Sequence, residues 1–332
     1  MKKLFKYHET YLVIIIVFLS LIITSVNSNF MTAENMFDLL KSNSFIGILA
    51  IGTLLVLISG GIDISFAAIA TVSQYVMALV IINIGGNIFT AIMVAVLVGT
   101  ILGMMNGVLV YKFRIPSIIA TIATMNIYYG LLIVFTGGKW IYSLPDWFRN
   151  FAEIRLLTFH TSGGLPYGLS VVTFMWILII IAAVVILNYT LLGRSIYALG
   201  GDRKSCLRIG FNIFFTETFV YSFMGLVAGI AGVVQALLIQ TVAPNAMVGK
   251  ELDVIAAVVL GGASLTGGKG SIFGALLGVA LLAILRNGMT LMAIPAVWFE
   301  FLVGIVIIVS VGFSSYQQKL KSHKTSIIET AD

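Results

Sequence analysis

The 332-residue chain holds a single cysteine, Cys206, and only 10% of its residues are charged. One cysteine rules out an internal disulfide and a cysteine cage for a metal. The three histidines, His8, His160 and His323, all lie outside the apolar stretches, so no His-x-x-x-His helix face is available for zinc. So few charges cannot cover a soluble surface of this length. The net charge of +6 is scattered through short loops and forms no basic face, which argues against nucleic acid as a partner.

What the sequence has instead is apolar length, with 60% hydrophobic residues. A hydrocarbon core about 30 Å thick needs a helix of about 20 apolar residues to cross it. Candidate crossings fall at about 12–27, 44–60, 64–83, 88–110, 116–136, 168–187, 217–240, 252–263, 271–288 and 295–312. The fold expected is all-α, a polytopic transmembrane bundle of about ten spans. The run 252–263 is too short to cross alone and reads as a half-helix or re-entrant piece. The first run follows Lys2, Lys3 and Lys6 but lacks an Ala-x-Ala cleavage pattern, so it reads as a retained span.

Alternating sides from a cytoplasmic amino terminus sorts the basic residues. Lys2, Lys3, Lys6, Lys112, Arg114, Arg194, Arg203, Lys204, Arg208, Lys269, Lys319, Lys321 and Lys324 fall inside. Lys41, Lys139, Arg149, Arg155, Lys250 and Arg286 fall outside. This bias places both termini in the cytoplasm. The domain reading is a cytoplasmic segment 1–11, a membrane domain 12–313 and a cytoplasmic tail 314–332. Within it, loop 137–167 is extracytoplasmic and expected to carry a short surface helix, while the basic loop 188–215 is cytoplasmic.

Small residues at helical spacing let helices approach closely in lipid: Gly99, Gly103 and Gly107, then Gly225 and Gly229, then Gly270, Gly274 and Gly278. Ser117, Thr121, Thr124 and Tyr128 share one helix face, which makes the fifth span polar on one side. Such hydroxyls either bond their own helix carbonyls or line a hydrated path, together with Asn126, Gln74 and Asn106. Ionisable groups near membrane depth are few, and Asp63, Asp253 and Glu300 each lie near an expected span end. A carrier driven by an ion gradient, the alternative function, calls for carboxylates or histidines well inside the bilayer.

Ser59-Gly60-Gly61-Ile62-Asp63-Ile64-Ser65 breaks one apolar run from the next. Asp63 there either caps the following helix or, with Ser65, marks a broken helix beside a passage. The stretch from Glu251 to Ser271 is glycine-rich, yet Gly268-Lys269 is followed by Gly270, not by the Ser or Thr that would hold magnesium in a phosphate-binding loop. Any nucleotide hydrolysis therefore belongs to another chain. In the inside loop, Asp202 is placed to cap a short helix from Arg203 to Ile209 that Gly210 stops.

Taken in order, Gly60 to Ser65, Ile115-Pro116-Ser117-Ile118-Ile119-Ala120-Thr121, Gly193-Arg194 through Gly210, and Glu251 through Gly270 resemble the permease subunits of ATP-driven importers of the ribose-type sugar family. The resemblance spans about residues 40–313. It implies a type II-like importer permease with no cofactor of its own, ATP being bound by partner subunits. The partners it implies are two ATPase subunits or one tandem ATPase, a second permease forming a homo- or heterodimer, and an extracytoplasmic sugar-binding protein. It implies residence in a bacterial cytoplasmic membrane. Arg194, Gly200, Gly201, Asp202, Arg203 and Gly210 look like the coupling segment that rests on the ATPase; Asp202 stands where Asn is usual, and Lys204, Ser205 and Cys206 cover positions usually small. Asp63, Ser65, Gln74, Asn106, Ser117, Thr121, Thr124 and Asn126 are the residues expected along the passage. Thr136 to Ile141 with Leu144-Pro145, and Ile294 to Trp298, look most like the autoinducer-2 branch.

Overall fold

The computed structural model describes residues 7–161, 163–295, 297–305 and 308. The terminal lysines of the inside set, the tail 314–332 and the end of the last apolar run lie outside these residues. In chain order the elements are α1 (Tyr7–Val26), a 3-10 turn (Ser28–Met31), α2 (Ala33–Ser42), α3 (Ser44–Ile58), α4 (Phe66–Asn83), α5 (Ile88–Phe113) and α6 (Ser117–Thr136). There follow α7 (Asp146–Phe151), β1 (Arg155–His160), β2 (Pro166–Ser170), α8 (Val171–Tyr189), α9 (Leu191–Gly201), α10 (Arg203–Arg208), α11 (Ile213–Ile239), α12 (Lys250–Leu260) and α13 (Ile272–Leu291).

Among the described residues, seven helices are long and apolar enough to cross a membrane, or eight if α2 and α3, bent by 52° at Asn43, count as one. The described residues thus show slightly fewer crossings than the expected ten, and the last expected run, 295–312, lies partly outside them. The run 44–60 yields α3, a helix of 15 residues, and 252–263 yields α12, a half-helix of 11 residues. Composition measures apolar length, whereas Gly60-Gly61 and Gly261-Gly262 break the backbone before that length becomes helix.

The bundle is built around α3, every residue of which is buried. A helix apolar on all sides belongs in the middle of the assembly, and α3 accordingly packs against α8, α11, α12 and α13. The most extensive contact joins α5 to α11. There the two glycine stripes interlock: a Cβ at Gly103 would lie 2.9 Å from the Gly225 Cα, and one at Gly229 would collide with the Ala95 carbonyl. Backbone thus meets backbone, gaining the dispersion contacts that drive helix association in lipid. The third stripe works in the same way, since Gly274 and Gly278 of α13 receive the backbone of Gly261 and Ala257.

Loop 137–167 holds the expected short helix, α7, and also an antiparallel hairpin of β1 and β2 that the sequence reading does not contain. The Phe159 and Tyr167 rings of the hairpin lie 5.7 Å apart and both meet Phe37 of α2 at 6.1 Å. Ile141 and Val242 exchange both backbone hydrogen bonds, at 2.8 and 2.9 Å, tying this loop to the end of α11.

Candidate translocation and coupling site

Between α3 and α4 the chain runs without helical structure through residues 61–64. Helix α3 ends at the glycine pair, Gly60 taking a φ of +86° that side-chain-bearing residues avoid. The amides left without helical partners must be met by something else. The hydroxyl face of α6 meets them: the Ile62 amide donates to Ser117 Oγ at 2.8 Å, and the Ile64 amide to Thr121 Oγ1 at 3.2 Å. Thr121 Oγ1 also lies 3.3 Å from the Ile62 carbonyl. The polar stripe of α6 is therefore turned inward, and its helix-period spacing marks the face that holds a neighbouring non-helical segment.

A second layer continues from this segment. Asp63 Oδ1 accepts from the Ser65 amide at 2.7 Å and from the Ser65 hydroxyl at 2.6 Å. Asn106 of α5 donates to Ser65 Oγ at 2.7 Å, and the Tyr128 hydroxyl of α6 donates to Asn106 Oδ1 at 3.2 Å. Asp63, Ser65, Asn106, Thr121, Thr124 and Tyr128 are all buried. Asp63 does not cap α4 through the helix amides; the cap position is Ser65, which makes no side-chain cap bond, and Asp63 instead closes a turn onto Ser65. Helices α5 and α6 and the break between α3 and α4 are thus joined by one network.

The remaining expected path residues sit apart. Thr124 Oγ1 bonds the Thr121 carbonyl at 3.2 Å, within its own helix. Gln74 is buried on α4 where Gly232 of α11 approaches it, its amide unpaired among the described residues. Asn126 lies on the exposed face of α6 and donates to the Ile122 carbonyl at 2.9 Å.

Beyond Asp253, which the sequence places near an expected span end, two further carboxylates sit inside the bundle. Glu217 near the start of α11 and Glu251 at the start of α12 are buried. Asp253 is buried too and pairs with Arg286 of α13 at 3.2 Å and Lys250 at 3.5 Å, while Arg286 lies 4.1 Å from the Phe299 ring centroid. Glu251 receives the Tyr129 hydroxyl at 3.5 Å. The signal in the sequence was the half-helix itself, because a helix that starts inside the bundle brings its polar first turn with it.

The second part of the site is the α9–α10 segment. Asp202 caps α10, accepting from the Lys204 amide at 3.1 Å and the Ser205 amide at 2.9 Å. The Ser205 hydroxyl and these amides hold the Asp202 carboxyl below the usual carboxylate range, with Arg208 adding attraction. Gly210, at φ +89°, ends the turn, and the Phe211 amide closes onto the Cys206 carbonyl at 3.2 Å. The inner side of this segment is anchored: Cys206 is buried with Leu199 and Ile213 against Tyr111 and Phe211, and Arg203 pairs with Glu217. Burial pushes the Cys206 thiol up from its ordinary range. The outer side is free, with Arg194, Gly201, Asp202, Arg203, Lys204, Leu207, Arg208 and Ile209 exposed. A small helix fixed on one face and exposed on the other can receive a push without unfolding.

Comparison with known proteins follows the same lines. The chain is 34% identical over 290 residues to the ribose import permease protein RbsC of Escherichia coli, covering 87% of this chain and 88% of that one. It is 33% identical over 305 residues to RbsC of Haemophilus influenzae, covering 91% and 92%. It is 33% identical over 283 residues to the autoinducer 2 import system permease protein LsrC of Yersinia pseudotuberculosis, covering 85% and 78%. No solved structure matches the chain. The profile of the branched-chain amino acid transport system / permease component family matches residues 35–311, so this multi-spanning protein belongs to that permease family.

Proposed function

We propose that the chain is the membrane-spanning subunit of an ATP-binding cassette importer, moving a monosaccharide or sugar-like small molecule with energy from separate ATPase subunits. The observation that carries this reading is the α9–α10 segment, anchored inward by Arg203–Glu217 and the Cys206 cluster and exposed outward as a basic, partly apolar face. The named activities of the relatives, ribose import and autoinducer 2 import, supply the substrate class. A ribose-type sugar comes first and autoinducer-2 second.

In this reading both termini and the α9–α10 face lie in the cytoplasm of a bacterium, and loop 137–167 meets an extracytoplasmic binding protein. Two ATPase subunits, or one tandem ATPase, sit beneath a pair of permeases that are identical or different. ATP-driven closure of the ATPases displaces α10, and the spans rock to change which side the polar path faces. Asp63, Ser65, Asn106, Ser117, Thr121, Thr124 and Asn126, with Gln74, flank that path. Most of these are hydroxyl and amide groups, which hold a sugar weakly and pass it on. Gly201→Pro or Asp202→Arg is expected to abolish uptake by cells while the protein still inserts in the membrane. Normal uptake by both variants would remove the coupling role from this segment.

A further inference from the structure

Three segments far apart in sequence cross at one point, and glycine stands at each. They are the end of α3, the end of α9 and the loop between α12 and α13. Ile58 offers one of the carbonyls that the last turn of α3 leaves without a helical partner, and the Gly268 amide donates to it at 2.8 Å. Gly200 is wedged against this bond: a Cβ there would collide with the Ile58 carbonyl oxygen and lie 2.5 Å from the Gly268 amide nitrogen. A Cβ at Gly267, whose φ is +89°, would lie 2.6 Å from the Gly200 carbonyl oxygen and 2.7 Å from the Gly60 Cα. Beside the crossing, the Tyr197 hydroxyl of α9 donates to the Gly270 carbonyl at 3.0 Å, and Gly270 abuts Ile58 and Leu54 of α3.

Because the contact is backbone against backbone, no side-chain rotamer can yield there, and a displacement of α9 must move its neighbours. Those neighbours lead in two directions. The α3 end continues into residues 61–64 and the Asp63–Ser65–Asn106–Tyr128 network. The other loop joins half-helix α12, with buried Glu251 and Asp253, to α13. We propose that Gly200 and Gly267, crossing at Ile58 and Gly60, form a joint that transmits motion of the α9–α10 face to both broken helices at once. Gly200 and Gly267 are positioning residues in this scheme. The proposal rests on the importer reading above, since that reading supplies the force on α10.

The test uses the complete transporter, permease with its ATPase and binding protein, in liposomes, measuring solute accumulated per ATP hydrolysed. Gly267→Ala is expected to keep the ATPase bound and ATP hydrolysis running while that ratio falls about tenfold, as the added methyl meets the Gly200 carbonyl oxygen and pries the crossing apart. Gly130→Ala, whose Cβ meets nothing among the described residues within 4 Å, is expected to keep the ratio of the unmodified complex. Hydrogen exchange of the unmodified complex, without nucleotide and with ATP trapped on a hydrolysis-deficient ATPase, decides the matter independently of how the variant folds. Segments 196–205, 58–65 and 264–270 are expected to change protection together. An unchanged ratio in Gly267→Ala, loss of the ATPase from that variant, or a change in 196–205 alone would each refute the joint. Absence of ATP-dependent uptake by the unmodified complex would instead refute the importer reading, and the joint's role with it.

Discussion

Removing the two hydroxyls that pin residues 61–65 should loosen that segment by a calculable amount. The Ile62 and Ile64 amides are partly buried and bond, among the described residues, to Ser117 Oγ at 2.8 Å and Thr121 Oγ1 at 3.2 Å. A buried donor deprived of its acceptor costs about 1–3 kcal/mol. Ser117→Ala and Thr121→Val remove one acceptor each with little change of shape. Since about 1.4 kcal/mol is tenfold in an equilibrium, each single variant should speed exchange of the amides in 61–65 about tenfold. The double variant should approach about a hundredfold, less any coupling between two neighbours on one segment. Thr121→Ser keeps the acceptor and should exchange at close to the parent rate. The assay is hydrogen exchange by mass spectrometry on the purified chain, with α5 and α11 peptides as internal controls. Unchanged exchange in 61–65 of the double variant would show that the α6 hydroxyls do not hold the break, and the reading of the polar stripe would be wrong.

Three further outcomes are expected. Gly225→Ala places a methyl 2.9 Å from the Gly103 Cα and should destabilise the bundle by about 1–3 kcal/mol, read as a lower Tm in detergent. Arg203→Ala strands the buried Glu217 carboxylate and should lower stability by about 1–3 kcal/mol, less than for a fully buried pair because Arg203 is half-exposed; adding Glu217→Gln should recover most of the loss. The Asp202 carboxyl lies below its ordinary range in the folded chain, so its contribution is full above the ordinary aspartate range and is lost as pH falls through the lowered value. Amide protection of 203–208 should accordingly fall in acid, and Asp202→Asn should flatten that dependence.

Local periodicities carried much of the architecture. The alternating four- and three-residue spacing of Ser117, Thr121, Thr124 and Tyr128 marks one face of α6, and that face is the inward one. Asp202 and Gly210 marked both ends of α10 because caps act over three or four residues. The shortness of 252–263 foretold a half-helix. Contacts over long sequence separations were not legible. Nothing near Ser117 says that its hydroxyl meets the Ile62 amide, 55 positions away, or that Asp253 pairs with Arg286, 33 positions on. The roles of Gly200 and Gly267 depend wholly on what crosses them, so a glycine count could not separate them from Gly201, whose Cβ would meet nothing among the described residues within 4 Å. The hairpin of Arg155–His160 and Pro166–Ser170 has a sequence signal, a β-prone run followed by Gly163-Gly164, but a short one set beside the stronger helix signal of the same loop.

In the proposed importer this permease supplies a passage and another chain supplies the energy. Reconstituted into liposomes with its ATPase and binding protein, it should accumulate labelled sugar only when ATP is present on the ATPase side. Reconstituted alone, with or without an ion gradient, it should accumulate none; gradient-driven accumulation by the solitary chain would show that it needs no partner's energy.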